Sequence, residues 1–323
     1  MEYRRLGQYG LKVSEFSLGA WVTYGGQVGE KEARKCMLAA YEAGVNFFDN
    51  ADVYANGNAE MVMGEVIKDL KRTDLVISSK VFWPTGPGPN DRGLSRKHIM
   101  ESCHASLKRL RVEYLDLYFC HRHDPETPLE EVVRAMDDLV HQGKVLYWGT
   151  SEWRGSQITE AVELARQGGF YPPAVEQPHY NMFTRDIVET ELLEAAQQHG
   201  VGLVVWSPLA SGILTGKYNE GIPADSRMAD PDYAWLRQGV TQERVFKVRQ
   251  LTEVAREVGA SMAQLALAWL LRLPEISSVI TGASRASQVQ ENLKAAEVKA
   301  KLTPEILARI EGILGNDPKV GLG

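Results

Sequence analysis

The 323-residue sequence contains few cysteines, no long apolar run and no excess of positive charge. No segment reaches the roughly 18 consecutive apolar residues that a membrane-spanning helix needs, and residues 1–5 lack the apolar centre of a signal peptide. The three cysteines, Cys36, Cys103 and Cys120, are widely spaced. This argues against a disulfide framework and fits a reducing compartment. We therefore expect a cytoplasmic protein without direct membrane insertion.

The charge balance is slightly acidic. The chain carries 36 lysines and arginines against 42 aspartates and glutamates, a formal net charge of −6 at pH 7. Proteins that bind nucleic acid through a dedicated surface are usually basic, so no nucleic-acid partner is expected. The contents of 44% hydrophobic and 24% charged residues are typical of a globular protein that folds around an apolar core.

Short apolar segments alternate with segments of helical periodicity along the chain. Successive apolar segments mostly end about 30 residues apart, which is the length of one parallel βα unit. Eight such units without a break in composition predict one closed (β/α)8 TIM barrel over residues 1–323 rather than two domains. The predicted strands are 16–20, 45–49, 75–80, 115–121, 145–150, 174–177, 201–206 and 278–281.

The segments between these strands predict helices. Capping boxes that begin at Thr127 and Ser261 support two of them. Residues 3–15, which surround a glycine-containing turn, predict a hairpin that closes the bottom of the barrel. The segments 84–93 and 207–240 lack strong periodicity and should lie at the C-terminal face, where barrels of this type place their sites. The predicted helices include 30–42, 58–71, 95–110, 128–141 and 303–314.

Four chemically reactive residues lie at or just after the predicted strand ends. Asp49, Lys80 and His121 end three successive strands, and Tyr54 follows Asp49 in a loop. Taken singly, Lys80 could be a solvated strand-end lysine and Asp49 a turn residue. Placed together, the ammonium of Lys80 would lower the pKa of the Tyr54 phenol, and Asp49 would hold Lys80 charged. The set predicts proton transfer to a carbonyl that His121 orients.

These four residues resemble the catalytic tetrad of the aldo-keto reductases, NADPH-dependent barrels that reduce aldehydes and ketones. The resemblance extends over nearly the whole chain and is most specific in residues 20–27, 147–151, 206–209 and 282–284, together with Glu176-Gln177 and residues 181–183. These stretches are similar to the branch that contains the cytoplasmic β-subunits of voltage-gated potassium channels and their microbial relatives. That branch forms tetramers, so a homo-oligomer, a tetramer or larger, is expected.

The resemblance implies a binding site for NADPH or NADP+ across the barrel mouth. It implies that Trp206 stacks on the nicotinamide and that Ser151 and Gln177 bind its carboxamide. Arg227, with Ser284, would meet the 2′-phosphate. The complete set of implied cofactor-binding residues is Trp21, Gln27, Asp49, Ser151, Gln177, Trp206, Ser207, Pro208, Leu209, Ser211, Gly212, Lys217, Arg227, Gly282, Ser284, Gln288, Glu291 and Asn292.

The substrate expected from the resemblance is a small carbonyl compound. Four aromatic residues that border the predicted mouth, Trp21, Tyr24, Phe82 and Trp83, are expected to form its pocket. The branch accepts aromatic and reactive aldehydes, but the sequence does not select one of them.

Two residues of this chain differ from those of the animal channel subunits of this branch. The animal subunits carry asparagine where this chain has His121, the ordinary reductase residue, and this difference favours an enzyme over an auxiliary subunit. They carry arginine where this chain has Glu152, and an acidic residue there argues against a phosphate contact. The alternative function is an NADPH-sensing regulatory subunit with slow turnover, with a channel as its partner.

Three other classes fit less well. No Gly-x-Gly-x-x-Gly follows the first strand, which excludes a nucleotide-fold dehydrogenase. The segment from Gly212 is one residue short of a P-loop and has Tyr218 in place of the required Ser or Thr. A metal-dependent hydrolase that uses His121, His123 and nearby acids would leave Tyr54, Lys80 and Trp206 without a role. No metal is therefore predicted.

Overall fold

The computed structural model describes residues 1–21, 24 and 28–319. Eight parallel strands form a closed barrel in the order β10-β3-β4-β5-β6-β7-β8-β9, and two further strands form an antiparallel hairpin. The strands are β1 (Tyr3–Arg5), β2 (Lys12–Ser14), β3 (Phe16–Gly19), β4 (Phe47–Asp49), β5 (Val76–Val81), β6 (Leu115–Cys120), β7 (Val145–Ser151), β8 (Val175–Gln177), β9 (Gly202–Val205) and β10 (Ile276–Thr281).

The predicted barrel is confirmed. Each of the eight predicted strands is present, and each ends within one residue of the predicted end. Neighbouring strands pair in parallel. For example, Leu18 on β3 lies opposite Phe48 on β4, and Lys80 on β5 lies opposite Phe119 on β6. Because the strands are parallel, their carboxyl ends all open on the same face of the barrel.

The helices surround the barrel and connect successive strands. They are α1 (Glu30–Glu42), α2 (Asn58–Ile67), α3 (Arg96–Leu110), α4 (Leu129–His141), α5 (Gly155–Gly168), α6 (Leu193–His199), α7 (Gln242–Glu257), α8 (Met262–Leu270), α9 (Ala286–Leu293), α10 (Ala295–Val298) and α11 (Pro304–Leu314). Among the described residues, none of them is long and apolar enough to cross a membrane.

One of the two predicted capping boxes is confirmed and the other is wrong. The Ser261 hydroxyl accepts from the Gln264 amide at 3.2 Å, and the Gln264 side chain accepts from the Ser261 amide at 3.0 Å. Thr127 does not cap α4, because its hydroxyl donates to Asp124 at 2.8 Å. Pro128 takes the N-cap position without a side-chain hydrogen bond.

The N-terminal hairpin closes the bottom of the barrel, as predicted. The amide of Gln8 donates to the carbonyl oxygen of Gly200, next to the start of β9, at 2.9 Å. Gly7 has a φ of 56°, and a Cβ there would lie 2.1 Å from the same oxygen, so only glycine fits this approach. Leu6 and Val13 are buried in the cluster that fills the barrel interior.

The long segment between β9 and α7 covers part of the opposite face. It contains three short 3₁₀ helices, Ala210–Thr215, Arg227–Ala229 and Pro231–Gly239. It begins after the carboxyl end of β9, and the irregular stretch 84–93 begins after the carboxyl end of β5. Both predicted loops therefore lie at the C-terminal face, beside the strand-end residues.

A buried acid lies in the barrel wall close to this face. Glu176 on β8 has no exposed surface. Its carboxyl accepts from the Thr150 hydroxyl at 2.5 Å and from the Trp153 amide at 3.4 Å. Burial raises the pKa of Glu176 from 4.5 to about 8, against the effect of the Thr150 hydrogen bond. The folded protein therefore favours the protonated carboxyl.

This raised pKa predicts a pH-dependent stability. The contribution of Glu176 is fully present below the unfolded pKa of 4.5 and is lost as pH rises through the folded pKa of about 8. Glu176→Gln is uncharged throughout, so we expect the variant to gain stability relative to the native chain as pH rises from 5 to 8. Free energies of unfolding from denaturant titrations at each pH check this. The exposed control Glu163→Gln should follow the native curve, and parallel curves for Glu176→Gln would contradict the burial argument.

Candidate active site

A cleft of about 1120 Å³ opens at the carboxyl ends of the strands. It is larger than the roughly 300–1,000 Å³ typical of small-molecule sites, so it has room for an extended ligand. The predicted residues that line it are Trp21, Tyr24, Asp49, Tyr54, Trp83, His121, Ser151, Gln177, Trp206, Ser207, Pro208, Leu209, Ser211, Gly212, Lys217, Arg227, Gly282, Ser284, Gln288 and Asn292.

Three predicted residues that the structure describes are not among those that line the cleft. Lys80 lies beneath its floor with no exposed surface. Phe82 is half-buried and packs edge-on against Trp83 at 5.1 Å. Glu291 lies on the exposed side of α9, where it accepts hydrogen bonds from Lys294 and Gln264. Gln27 lies outside the described residues.

A buried ion pair stands at the centre of the cleft floor. The Lys80 ammonium donates to Asp49 Oδ2 at 2.7 Å, to the carbonyl oxygen of Asn50 at 2.7 Å and to the Tyr54 hydroxyl at 3.3 Å. Asp49 Oδ1 accepts from Ser78 at 2.7 Å and from the Gln177 amide at 3.0 Å. The structure thus brings the predicted acid, ammonium and phenol into direct contact.

The strand register explains this convergence. Successive side chains of a strand point to opposite faces, so Ser78 and Lys80 on β5 point the same way. Phe48 pairs with Ile77, which brings Asp49, the last residue of β4, beside them. The chain after Asp49 turns back, and the amide of Asp52 donates to the Lys80 carbonyl oxygen at 3.4 Å. Tyr54 is thereby directed over the ammonium.

The pKa of Tyr54 differs from the sequence-based expectation. Burial, and then the negative charge of Asp49, raise the pKa of Tyr54 well above 10. The net shift is therefore opposite to the lowering expected from Lys80, because the cost of burying a phenolate exceeds the attraction of an ammonium that Asp49 already neutralises. The phenol stays protonated at neutral pH and is a proton donor in that form.

His121 lies beside the phenol and is neutral. Its ring centroid is 5.8 Å from that of Tyr54, in an edge-to-face arrangement. Burial, and then the charges of Lys80 and Arg122, lower the pKa of His121 well below 6.5. Its Nδ1 is buried and has no hydrogen-bond partner among the described residues. A neutral imidazole next to a protonated phenol can orient and polarise a carbonyl oxygen.

Trp206 is held from two sides. Its indole stacks on the His179 ring, with centroids 4.3 Å apart and planes inclined by 18°. Its Nε1 donates to Glu152 Oε1 at 2.9 Å, and the same oxygen accepts from the His179 amide at 2.5 Å. Trp21 meets the indole edge-on at 5.4 Å. Glu152, which the sequence analysis treated only as a departure from related chains, thus fixes the orientation of Trp206.

The loops around the cleft contain strained backbone. Six of the seven non-glycine residues with positive φ in the described part of the chain follow carboxyl ends of barrel strands. Such conformations cost about 1–3 kcal/mol each and persist where surrounding contacts enforce them, commonly at binding sites. These residues are Ala55, Asn56, Glu152, Ser207, Ala210 and Ser211.

The far end of the cleft carries cations. Packing around its ammonium, and then the charge of Arg227, lower the pKa of Lys217. Arg285 lines the same end. The Ser284 amide and hydroxyl both donate to the Gln288 side chain, at 2.8 and 3.1 Å. Grouped cations near backbone amides at the start of a helix suit a phosphate-bearing ligand. Such a ligand would replace the Gln288 side chain as the hydrogen-bond acceptor of Ser284.

Several residues of the site were not predicted from the sequence. Arg122 follows a strand end directly and lines the cleft, so it could have been included. Arg285 follows Ser284 at the start of α9 and could have been included on the same grounds. The contact of His179 with Trp206 has no signal in the sequence.

The metal-site alternative finds no matching geometry. Within residues 1–21, 24 and 28–319, no group of three His, Cys, Asp or Glu side chains is arranged to hold a metal ion. His121 packs on Tyr54, whereas His123 meets Trp153 edge-on at 4.8 Å. The two imidazoles therefore have separate surroundings.

Comparison with known proteins finds a matching family and similar proteins over nearly the whole chain. The model of a family described as the aldo/keto reductase family matches residues 15–314. A probable voltage-gated potassium channel subunit beta of Arabidopsis thaliana is 54% identical over 99% of this chain and 98% of its own length. The rice protein of the same name (Oryza sativa subsp. japonica) is 51% identical over 99% of this chain and 98% of its own length. A putative voltage-gated potassium channel subunit beta of Schizosaccharomyces pombe is 49% identical over 98% of this chain and 94% of its own length.

The contact between Glu152 and Trp206 predicts a measurable coupling. Glu152→Ala removes the acceptor, and Trp206→Phe removes the donor while an aromatic ring still faces His179. In a double-mutant cycle the free energies of unfolding should differ from additivity by about 0.5–1.5 kcal/mol, since the carboxylate is solvent-exposed. A cycle that pairs Trp206→Phe with Glu160→Ala, an exposed acid on α5, should be additive. Additivity in both cycles would mean that Glu152 does not hold the indole.

Proposed function

Because the chain belongs to the aldo/keto reductase family, a family of oxidoreductases, we propose that it is an NADPH-dependent reductase of aldehydes and ketones. The observation that carries the proposal is the contact of the Lys80 ammonium with both Tyr54 and Asp49, at 3.3 and 2.7 Å, on the floor of a cleft that His121 also lines.

The chain's own residues perform the proton transfer. Tyr54 donates its proton to the oxygen of the carbonyl as that oxygen gains negative charge. Lys80 stabilises the phenolate left behind, because its ammonium is in hydrogen-bond contact with the phenol oxygen. Asp49 keeps the ammonium charged and in place, and His121, neutral and adjacent, orients the carbonyl. General acid catalysis of this kind contributes about 10²–10⁴-fold in rate.

The cofactor we propose is NADPH, bound along the same cleft. It supplies the hydride in this reaction. Trp206, held by Glu152 and His179, offers a flat surface for a ring. The buried hydroxyl of Tyr24 on the cleft wall has no hydrogen-bond partner in the described part of the chain. Lys217 and Arg227 offer cations to phosphates, Arg227 to the 2′-phosphate that distinguishes NADPH from NADH.

Tyr54→Phe tests the proton donor. The variant keeps the ring but loses the hydroxyl that contacts Lys80, so turnover with NADPH and benzaldehyde should fall about 10²–10⁴-fold. Absorbance at 340 nm measures turnover, and quenching of tryptophan fluorescence measures NADPH binding, which should be unchanged. Tyr171→Phe, at an exposed site away from the cleft, serves as the control. Native turnover in Tyr54→Phe would remove Tyr54 from this role.

Arg227→Ala tests the preference for the phosphorylated cofactor. Loss of a charge-assisted hydrogen bond should raise the Kd of NADPH about 10- to 100-fold, whereas that of NADH should change by less than about 2-fold. Fluorescence titration with both cofactors checks this. Arg249→Ala, an exposed arginine paired with Glu220, should leave both affinities as they are. An equal loss for NADPH and NADH would refute the assignment of Arg227.

The names of the relatives favour a second candidate, a channel-associated regulatory subunit that senses NADPH. Its residues would bind the cofactor as proposed, but turnover would be slow. Steady-state reduction over many turnovers at a saturating aldehyde concentration would favour the enzyme. A single turnover followed by retained cofactor would favour the sensor. Homotetramer formation remains a prediction from the resemblance, and a cytoplasmic location remains a prediction from the sequence.

A further inference from the structure

Arg122 lies at the reacting end of the cleft and has no role in the proton transfer described above. It follows His121 directly at the end of β6 and lines the cleft together with Tyr54 and Trp83. Its guanidinium lies over the Trp83 ring, 5.5 Å from the centroid. The Trp83 side chain is 38% exposed, so the cation and the indole form an open wall beside the phenol.

The guanidinium of Arg122 has no acidic partner. Its hydrogen bond runs from Nη1 to the carbonyl oxygen of His121, and no Asp or Glu of the described residues forms a salt bridge with it. Several other shielded arginines are paired with acids, namely Arg72 with Asp116, Arg109 with Glu60, and Arg185 and Arg272 with Glu189. Arg4, also shielded, instead donates to the backbone carbonyl oxygens of Leu271, Leu273 and Ile276. Of the five donors of the Arg122 guanidinium, one is engaged in the hydrogen bond to His121 within the described part of the chain.

The acids at this end of the cleft have other partners. Asp49 is engaged by Lys80, Ser78 and Gln177, and Asp52 accepts from the Ser102 hydroxyl at 2.5 Å. Arg122 contributes, after burial and Lys80, to the lowered pKa of His121. The position where a carbonyl would meet Tyr54 is therefore bordered by a cation that forms no salt bridge within the described part of the chain.

The cations assigned to the cofactor phosphates lie elsewhere. Lys217 and Arg227 follow β9, and Arg285 follows β10. In the closed barrel β9 is three strands and β10 four strands away from β6. Arg122 is thus on the substrate side of the cleft, and its charge is available to the substrate.

We propose that the substrates of this protein are carbonyl compounds that carry a carboxylate, and that Arg122 binds this carboxylate while Trp83 packs against the carbon skeleton. The inference rests on the proposed reductase function and specifies its substrate class. An oxo acid is held at both ends: the carbonyl by Tyr54 and His121, and the carboxylate by charge-assisted hydrogen bonds to the guanidinium.

Paired substrates that differ only in charge test this. In 4-carboxybenzaldehyde and methyl 4-formylbenzoate the ring and aldehyde are the same, but only the first is anionic. The native protein should prefer the acid. Arg122→Met should lower kcat/KM for the acid about 10- to 100-fold, mainly through KM, and change that for the ester by less than about 2-fold. Arg122→Lys should restore part of the loss, since it keeps the charge but not the planar fork.

The controls separate this role from a structural one. Arg34→Met, at an exposed arginine paired with Asp69, should leave both substrates unaffected. Equal losses on acid and ester in Arg122→Met would mean that Arg122 acts on Tyr54 or on the fold, and would overturn the proposal. A weaker NADPH affinity in fluorescence titration would instead make Arg122 a cofactor residue and would also overturn it.

A binding measurement keeps the test independent of turnover. Calorimetric titration of the NADP+-loaded protein with 4-carboxybenzaldehyde should give a Kd about 10-fold or more weaker for Arg122→Met than for the native chain. This holds even if the native protein reduces neither aldehyde, a result that would count against the reductase function but not against the carboxylate site. Equal Kd values for the two proteins would overturn the carboxylate site whatever the activity.

Discussion

The ion pair of Lys80 and Asp49 is the interaction on which the cleft floor depends. An ammonium without exposed surface is costly unless each of its protons has a partner. Here the three N–H donors of Lys80 meet Asp49, the Asn50 carbonyl oxygen and the Tyr54 hydroxyl. The number of partners equals the number of donors. Tyr54 is therefore part of the charge compensation, and a displacement of its hydroxyl would leave a buried cation short of one hydrogen bond.

The same ion pair explains why the phenol remains a donor. Asp49 accepts hydrogen bonds from three side chains, on β5 and β8, and Lys80 already balances its negative charge. A phenolate at Tyr54 would add a second, unbalanced negative charge in a buried site, so the pKa of Tyr54 is high. In the proposed reaction, Lys80 would stabilise the phenolate only after the proton has left. It would thus favour the product of proton transfer without releasing the proton early.

The barrel and the four catalytic candidates were predictable, three of these because they depend on period and register and Tyr54 because it follows Asp49 closely in the next loop. A 30-residue repeat fixes where strands end, and parallel strands bring those ends together, so Asp49, Lys80 and His121 could be grouped from the sequence. The hydrogen bond between Trp206 and Glu152 was not predictable, because Glu152 lies 54 positions away in the sequence. Its backbone also adopts a φ of 59°, which the sequence does not indicate. The pKa of Tyr54 was also out of reach, since it depends on burial, which a linear sequence does not show.

The charges of the cleft are opposite in sign to the charge of the whole chain. The protein carries a formal net charge of −6, yet the cleft lining includes the cations Arg122, Lys217, Arg227 and Arg285 against the acids Asp49 and Asp225. A concave site with more positive than negative charges, in a molecule of negative net charge, concentrates the field and attracts anionic ligands. Phosphates would account for the cations after β9 and β10. They would not account for Arg122, four strands from β10, whereas the substrate carboxylate proposed above would.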